Sequence, residues 1–208
     1  MIRYFGHSAL LFDSILLDPH DGGSIGLQVP DYPEVKLVLV THDHYDHNAY
    51  QIVKYEVLKE QQIGTFDLGS YLITGYKSFH DKENGKRRGK NVIYKIKRKS
   101  DNFTLVHMGD LGHSLNDELM KELRGANLLA LPVGGIITID SKEASELVEQ
   151  LEPEAIIPLH YWTKGHYMPL DPVESFLELE KNKFEINKIC PKNANLDETN
   201  IKGKLFYL

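Results

Sequence analysis

The stretch Val35-Lys-Leu-Val-Leu-Val-Thr-His-Asp-His-Tyr-Asp-His47 decides how the chain is read. Its first half is a short apolar run with little alternation, the pattern of a strand covered on both faces. Its second half places three imidazoles and the carboxylate of Asp46 within His42 to His47. Borderline-soft divalent ions take imidazole nitrogen and carboxylate oxygen as ligands. A tight turn can aim the alternate residues His42 and His44 at one ion. A helix starting near Asp46 can aim Asp46 and His47 at a second.

The same arrangement recurs outward from this stretch. Ile15-Leu-Leu17 runs into Asp18, Ile73 to Phe79 into His80, Thr104 to Gly109 into Asp110, and Ile156 to Leu159 into His160. Open α/β sheets place their sites at the carboxyl ends of strands, so these side chains can converge on one edge.

Between these points the chain starts with short strands over 2–5, 9–12 and 15–17, then a Gly- and Pro-rich loop over 18–34. Periodicity predicts a helix from about Asp46 to Glu60, with Ala49, Ile52, Val53 and Val57 on one face. Further strands are expected over 71–78, 92–97, 103–107, 128–133, 155–159, 186–189 and 205–208. Asn116 or Ser114 can cap a helix that runs to Arg124 and stops at Gly125. Asp140 and Glu143 form a capping box for a helix with Ala144, Leu147, Val148 and Leu151 on its apolar face. Asp171, Pro172 and Glu174 open a third, reaching about Asn182. A strand-rich first half and an alternating second half make an α/β chain with mixed sheets covered by helices. No linker divides it, so residues 1–208 are expected to form one domain.

At 41% hydrophobic and 26% charged residues the composition is globular, not disordered or fibrous. No apolar stretch approaches the roughly 18 residues of a membrane span, and the start lacks the basic and apolar blocks of a secretion signal. The single cysteine, Cys190, excludes an intrachain disulfide and a Cys-based zinc cluster. The expected compartment is the reducing cytoplasm. A net charge of -6 argues against broad electrostatic binding to nucleic acid or anionic membrane.

Thr41-His-x-His-x-Asp-His47 resembles the signature of the metallo-β-lactamase superfamily, and His80, Asp110 and His160 follow in matching order. Tyr4-Phe-Gly-His-Ser-Ala-Leu-Leu and the Leu-Leu-Asp-Pro at 16–19 are similar to the branch near ascorbate-6-phosphate lactonases and N-acylphosphatidylethanolamine phospholipase D. The resemblance implies a four-layer αβ/βα sandwich, two mixed sheets flanked by helices, with a two-metal site on its rim. By position, His42, His44 and His80 would hold one ion, Asp46, His47 and His160 the other, and Asp110 would bridge them. The implied cofactors are two divalent metal ions, zinc foremost, with manganese and iron also suited to these donors. The implied activity is hydrolysis of a small phosphoester, phosphodiester or lactone by a hydroxide that the two ions share. The implied partner is a small-molecule substrate, and a homo-oligomer stays open. A metal-dependent nuclease and a metal-loaded sensor without turnover are the alternatives. The short chain between Asp110 and His160 counts against the nuclease.

Asp46, Asp110 and His113 are the candidate catalytic residues; His113 can reach substrate or protonate a leaving group, or be a solvated loop histidine. Asp18 is expected to orient a ligand imidazole. His7 lines the pocket or is structural. His107, inside a strand, is expected to be buried and hydrogen-bonded. Tyr161, Trp162 and Tyr167 with His166 can wall a pocket. Lys82, Lys86, Arg87, Arg88 and Lys90 form a basic loop that can bring cations to a phosphate, or be a solvated hairpin. Cys190 is expected to be inert.

Overall fold

The chain opens with an antiparallel meander of β1 (Ile2–Gly6), β2 (Ala9–Phe12) and β3 (Ile15–Leu17). To this are added β4 (Val35–Val40) and β5 (Tyr55–Glu60), each parallel to its inner neighbour. A second sheet begins with the antiparallel strands β6 (Gly64–Leu68), β7 (Tyr71–Phe79), β8 (Lys90–Arg98) and β9 (Thr104–His107). It continues in parallel through β10 (Leu128–Pro132) and β11 (Ala155–Leu159) towards β12 (Glu185–Lys188). β13 (Asn195–Leu196) returns to the first sheet beside β1, and β14 (Lys204–Tyr207) enters the second between β11 and β12. This is a computed structural model, and it describes residues 1–190 and 195–208.

Period-two alternation decides which side chains meet between the sheets. Ile2, Tyr4, Leu10, Phe12, Leu37 and Leu39 from the first sheet pack with Ile73, Tyr94, Ile96, Leu105, Ala130 and Ile157 from the second. Each fully buried aliphatic side chain contributes about 1.5–3 kcal/mol. The opposite face of the second sheet carries Val106, Leu129, Leu131 and Ile156 against α1 (Asp117–Leu123), α2 (Ser141–Leu151) and α3 (Glu174–Glu180). α1 is capped by Asn116, whose side chain accepts from the Leu119 N–H at 2.9 Å. α2 has the expected box: Glu143 N–H donates to Asp140 Oδ1 at 2.8 Å, and Asp140 N–H to Glu143 Oε2 at 3.1 Å. The architecture is the expected mixed α/β arrangement of two sheets.

Two local expectations are corrected. The helix over Asp46–Glu60 does not form. A 3-10 turn at Tyr50–Ile52 is followed by the edge strand β5. Val57 there packs with the inner core and the adjacent Leu58 with the outer cluster, as neighbours in a strand must. Ala49, Ile52, Val53 and Val57 happen to be spaced like a helix face, but the segment is rich in Tyr, Val and Ile, which favour strands. The outer face of the first sheet is therefore covered by Val53, Tyr50 and the loop residue Tyr32. α3 also begins differently, at Glu174 with Val173 before it and no side-chain cap. Asp171 and Pro172 are engaged elsewhere: Trp162 N–H donates to Asp171 O at 2.9 Å, and Trp162 bridges Pro172.

Candidate metal centre

Strand ends from both sheets meet at one rim. β3 leads into Asp18, β4 into Thr41 and His42, β7 into His80, β9 through Met108 and Gly109 into Asp110, and β11 into His160. β1 ends just before His7. All of these polar groups are buried, together with Asp46 and His47, while His44 is only partly so. His7, Asp18 and His160 have φ of 52, 44 and 52°. Such left-handed backbone costs an ordinary residue on the order of 1–2 kcal/mol, so the fold holds strain where these side chains are aimed.

Among the described residues the nitrogen and oxygen donors form three groups within which ligand atoms lie inside 4.8 Å of one another: His42, His44 and His80; His7, Asp46, His47 and His160; and, overlapping both, Asp18, His42 and His47, in which Asp18 is already bonded to His47 and Thr41. Asp110 stands between the first two. Its Oδ2 is 3.0 Å from both His80 Nε2 and His160 Nε2 and 3.6 Å from His42 Nε2, and its Oδ1 is 3.3 Å from His47 Nε2. Yet both Asp110 oxygens and the Nε2 atoms of His42, His47, His80 and His160 lack a hydrogen-bond partner. One buried orphan costs about 1–3 kcal/mol, and a convergent set of them marks the place of an ion. Imidazole and carboxylate donors of this kind fit zinc, iron or manganese.

A supporting layer fixes the donors. Asp18 Oδ2 accepts from His47 Nδ1 at 2.9 Å and from Thr41 Oγ1 at 2.7 Å, and its Oδ1 accepts from Thr41 N–H at 2.8 Å. Thr41 Oγ1 also lies 2.9 Å from His42 Nδ1. Asp18 thus turns His47 Nε2 towards Asp110. Asn91 Oδ1 accepts from Asp110 N–H at 3.1 Å, while its Nδ2 donates to Ser78 Oγ and Met108 O at 2.8 Å. Gly109 has φ +54°, and a Cβ there would sit 2.4 Å from Asn91 Oδ1 and 2.6 Å from Thr41 Oγ1. Only glycine lets β9 turn into Asp110 under those two side chains.

His7 belongs to this layer too. Met168 N–H donates to His166 Nδ1 at 3.1 Å, so neutral His166 carries its proton on Nε2 and offers it to His7 Nδ1 at 3.2 Å. His7 then carries its own proton on Nε2 and donates to Asp46 Oδ2 at 2.9 Å. Burial holds both rings below the ordinary imidazole range, with His160 adding to the effect, which keeps them neutral and gives the chain of donors one direction.

Charge is sorted within the cluster. Burial opposes ionisation of Asp46 and Asp110, but neighbouring imidazoles outweigh it and hold both carboxyls well below their usual range. Burial likewise opposes charge on His47 and His160. The carboxylates of Asp110 and Asp46 win there, raising His47 well above 6.5 and His160 to about 9. Burial lowers His42, and His47 beside it adds to this. In the metal-free protein the two carboxylates thus favour a proton on His47 and on His160, and a metal ion would compete with it.

The remaining sequence expectations divide. His107 is buried and its Nε2 donates to Ser8 O at 2.9 Å. His113 lies outside the cluster. Its Nδ1 bonds to Ser114 O at 2.7 Å and its Nε2 accepts from Phe79 N–H at 3.1 Å, leaving no ring nitrogen for a leaving group. Tyr161 is buried with its hydroxyl accepting from Leu208 N–H at 3.0 Å, and it lines a separate cavity of about 610 Å³ that shares His7 with the cluster. Cys190 is exposed and free. Thr41 stands in the sequence motif without an assigned role, and Asn91 is not singled out there. Thr41 directly precedes the first histidine, a signal that could have been used; Asn91 has none.

Two sheets face to face with a histidine–carboxylate cluster at one rim define a candidate metal protein of the metallo-β-lactamase fold. The chain belongs to the β-lactamase superfamily: the family model described as a beta-lactamase superfamily domain matches residues 1–160. Among curated relatives, a UPF0173 metal-dependent hydrolase of Methanopyrus kandleri is 30% identical, with 90% of this chain and 95% of the relative covered. One from Nanoarchaeum equitans is 32% identical, with 88% and 94% covered. A crystal structure from Thermotoga maritima, described as a candidate Zn-dependent hydrolase of the metallo-β-lactamase superfamily, superposes with a TM-score of 0.73. It is 28% identical, and 99% of this chain and 96% of that one are covered. No helix among the described residues is long and apolar enough to cross a membrane.

Proposed function

We propose that this hydrolase works with two divalent cations, zinc foremost, on a small phosphoester, phosphodiester or lactone, as one domain in the cytoplasm. The observation that carries the proposal is the position of Asp110. Its carboxylate lies between a group of three histidines and a group with Asp46, His47 and His160. In this reading His42, His44 and His80 would hold one cation and Asp46, His47 and His160 the other, with Asp110 available to both. A cation pair supplies a nucleophile at neutral pH and polarises the oxygen of the electrophile. Asp18 keeps His47 turned inward, and the His166–His7 pair keeps Asp46 from rotating away. Asp110 balances positive charge and, held through its own N–H by Asn91, sets the separation of the two groups.

The test is metal content per chain in protein purified without chelator or histidine tag, followed by a panel of phosphodiesters, phosphomonoesters and lactones. About two transition-metal ions per chain, with turnover that chelation stops and metal restores, is the expected result. A fully metallated protein that turns over nothing on the panel would make it a binding protein instead.

A further inference from the structure

The cluster opens into a cavity of about 890 Å³ with His44 and His80 in its wall. One side is the loop between β7 and β8, which starts directly after His80. Asp81 organises it by accepting from four backbone N–H groups, those of Glu83, Gly85, Arg87 and Arg88, at 2.8–3.0 Å. The loop closes with Gly89 N–H donating to Gly85 O and His80 N–H to Gly89 O. The side chains of this loop therefore project from a fixed base, which lowers the entropy lost when they bind something.

Most of the charge in the cavity wall is already matched. Lys82 pairs with Glu143, and Arg87 with Glu83 at 2.7 Å. Asp140 caps α2, and Asp81 is saturated by the loop backbone. Arg88 also lines the cavity and has no ion-pair partner among the described residues. Ile136 lines the same cavity, 67% exposed and at φ +60°. A β-branched residue in left-handed backbone is an outlier. It is held there by a tight turn in which Ile137 and Thr138 N–H both donate to Gly135 O. A strained apolar side chain kept in water beside a reactive centre points to contact with a ligand.

We propose that Arg88 recognises an oxyanion, carboxylate or phosphate, on the substrate away from the bond that is broken, and that Ile136 contacts the apolar stretch between the two. This rests on the hydrolase reading above and narrows its substrates to anionic ones. A guanidinium matches either oxyanion in bidentate fashion.

The test uses the protein as purified and after zinc loading. Calorimetry compares phosphonoacetate and its longer homologues, alkane bisphosphonates, and alkylphosphonates of the same length. The second anion should tighten binding about tenfold, on the order of one charge-assisted contact. The favoured end group tells carboxylate from phosphate. Arg88→Ala should erase the gain and Arg88→Lys keep part of it, while Lys86→Ala, off the cavity, should leave it intact. Ile136→Gly should keep or raise the unfolding temperature, because the strain is relieved, yet lose the affinity gained with each added carbon. The proposal is overturned if no probe binds, if the second anion brings no gain over the alkylphosphonate of the same length, if the gain survives Arg88→Ala, or if Ile136→Gly leaves the chain-length trend unchanged. Metal-dependent hydrolysis without the anion preference would sink Arg88 and spare the hydrolase. An Arg88-dependent preference in a metallated protein without turnover would do the reverse.

Discussion

The two sides of the candidate metal centre are built to different standards. On one side His47 is tied to Asp18, Asp46 is tied to His7, and His7 is tied to His166. His160 on that side and His80 on the other both lack a partner on either ring nitrogen, and His44 beside His80 is partly exposed to the cavity. His42 alone there has a neighbour, Thr41 Oγ1. A donor held by an outer hydrogen bond is pre-aimed and loses little freedom when it binds, whereas a free one must be ordered by the ion. The Asp46 side should hold its ion more tightly, and the His44 side, open to substrate, should exchange its ion first.

The largest way to break this asymmetry is to remove what both halves share. Asp110→Asn should lower turnover about a thousandfold or more and reduce metal content on both sides, with the far-ultraviolet circular dichroism unchanged. A variant that keeps its metal and its rate would end the bridging role. A sharper cut is Asp18→Asn, which frees His47 and Thr41. Affinity should fall about 10–100-fold for the tighter ion alone, read as one weakened step in a competition titration with a chromophoric chelator. Equal weakening of both steps would show that the halves are not separable.

Acidity provides a third probe, applied to the metal-free protein. His160 titrates at about 9 in the fold against an ordinary 6.5. The raised value means that protonated His160 stabilises the fold fully below pH 6.5, and that this is lost as pH rises through 9. Urea unfolding in chelator should show stability declining across that window, and the metal-loaded protein should decline less. A flat metal-free profile would contradict the charge arrangement. The smallest effect is expected from His166→Ala, which removes only the outermost donor. It should cost a few-fold in turnover and release the His7 tautomer, visible as a change in its ring-nitrogen NMR shifts. An unchanged His7 signal would break the ordered chain of donors.

Much of this was legible in the sequence because the decisive residues sit where local rules are strong. An apolar run ending in Thr41-His-Asp-His is both a buried strand and a ligand cluster, and the capping box at Asp140 and Glu143 names its helix in four residues. β5 was not legible, because Val53 and Val57 satisfy the spacing of a helix while their side chains favour a strand, and pairing with β4 decides the matter. The shared neighbours of Asp110 were hidden for another reason. Asn91 is brought to its backbone from β8, the strand antiparallel to β9, so no spacing in the chain announces it. His113 misled by proximity: three residues beyond Asp110, it turns back to the end of β7 instead of into the rim.

The rim also joins the two sheets at one edge of the core they share. His42 and His47 follow a strand of the first sheet, and His80 and His160 follow strands of the second. A cation gripped from both sides would be a rivet through the seam, closing long loops of chain as a disulfide does in an oxidising compartment. In a protein with a single thiol, the reactive centre would also be the tether.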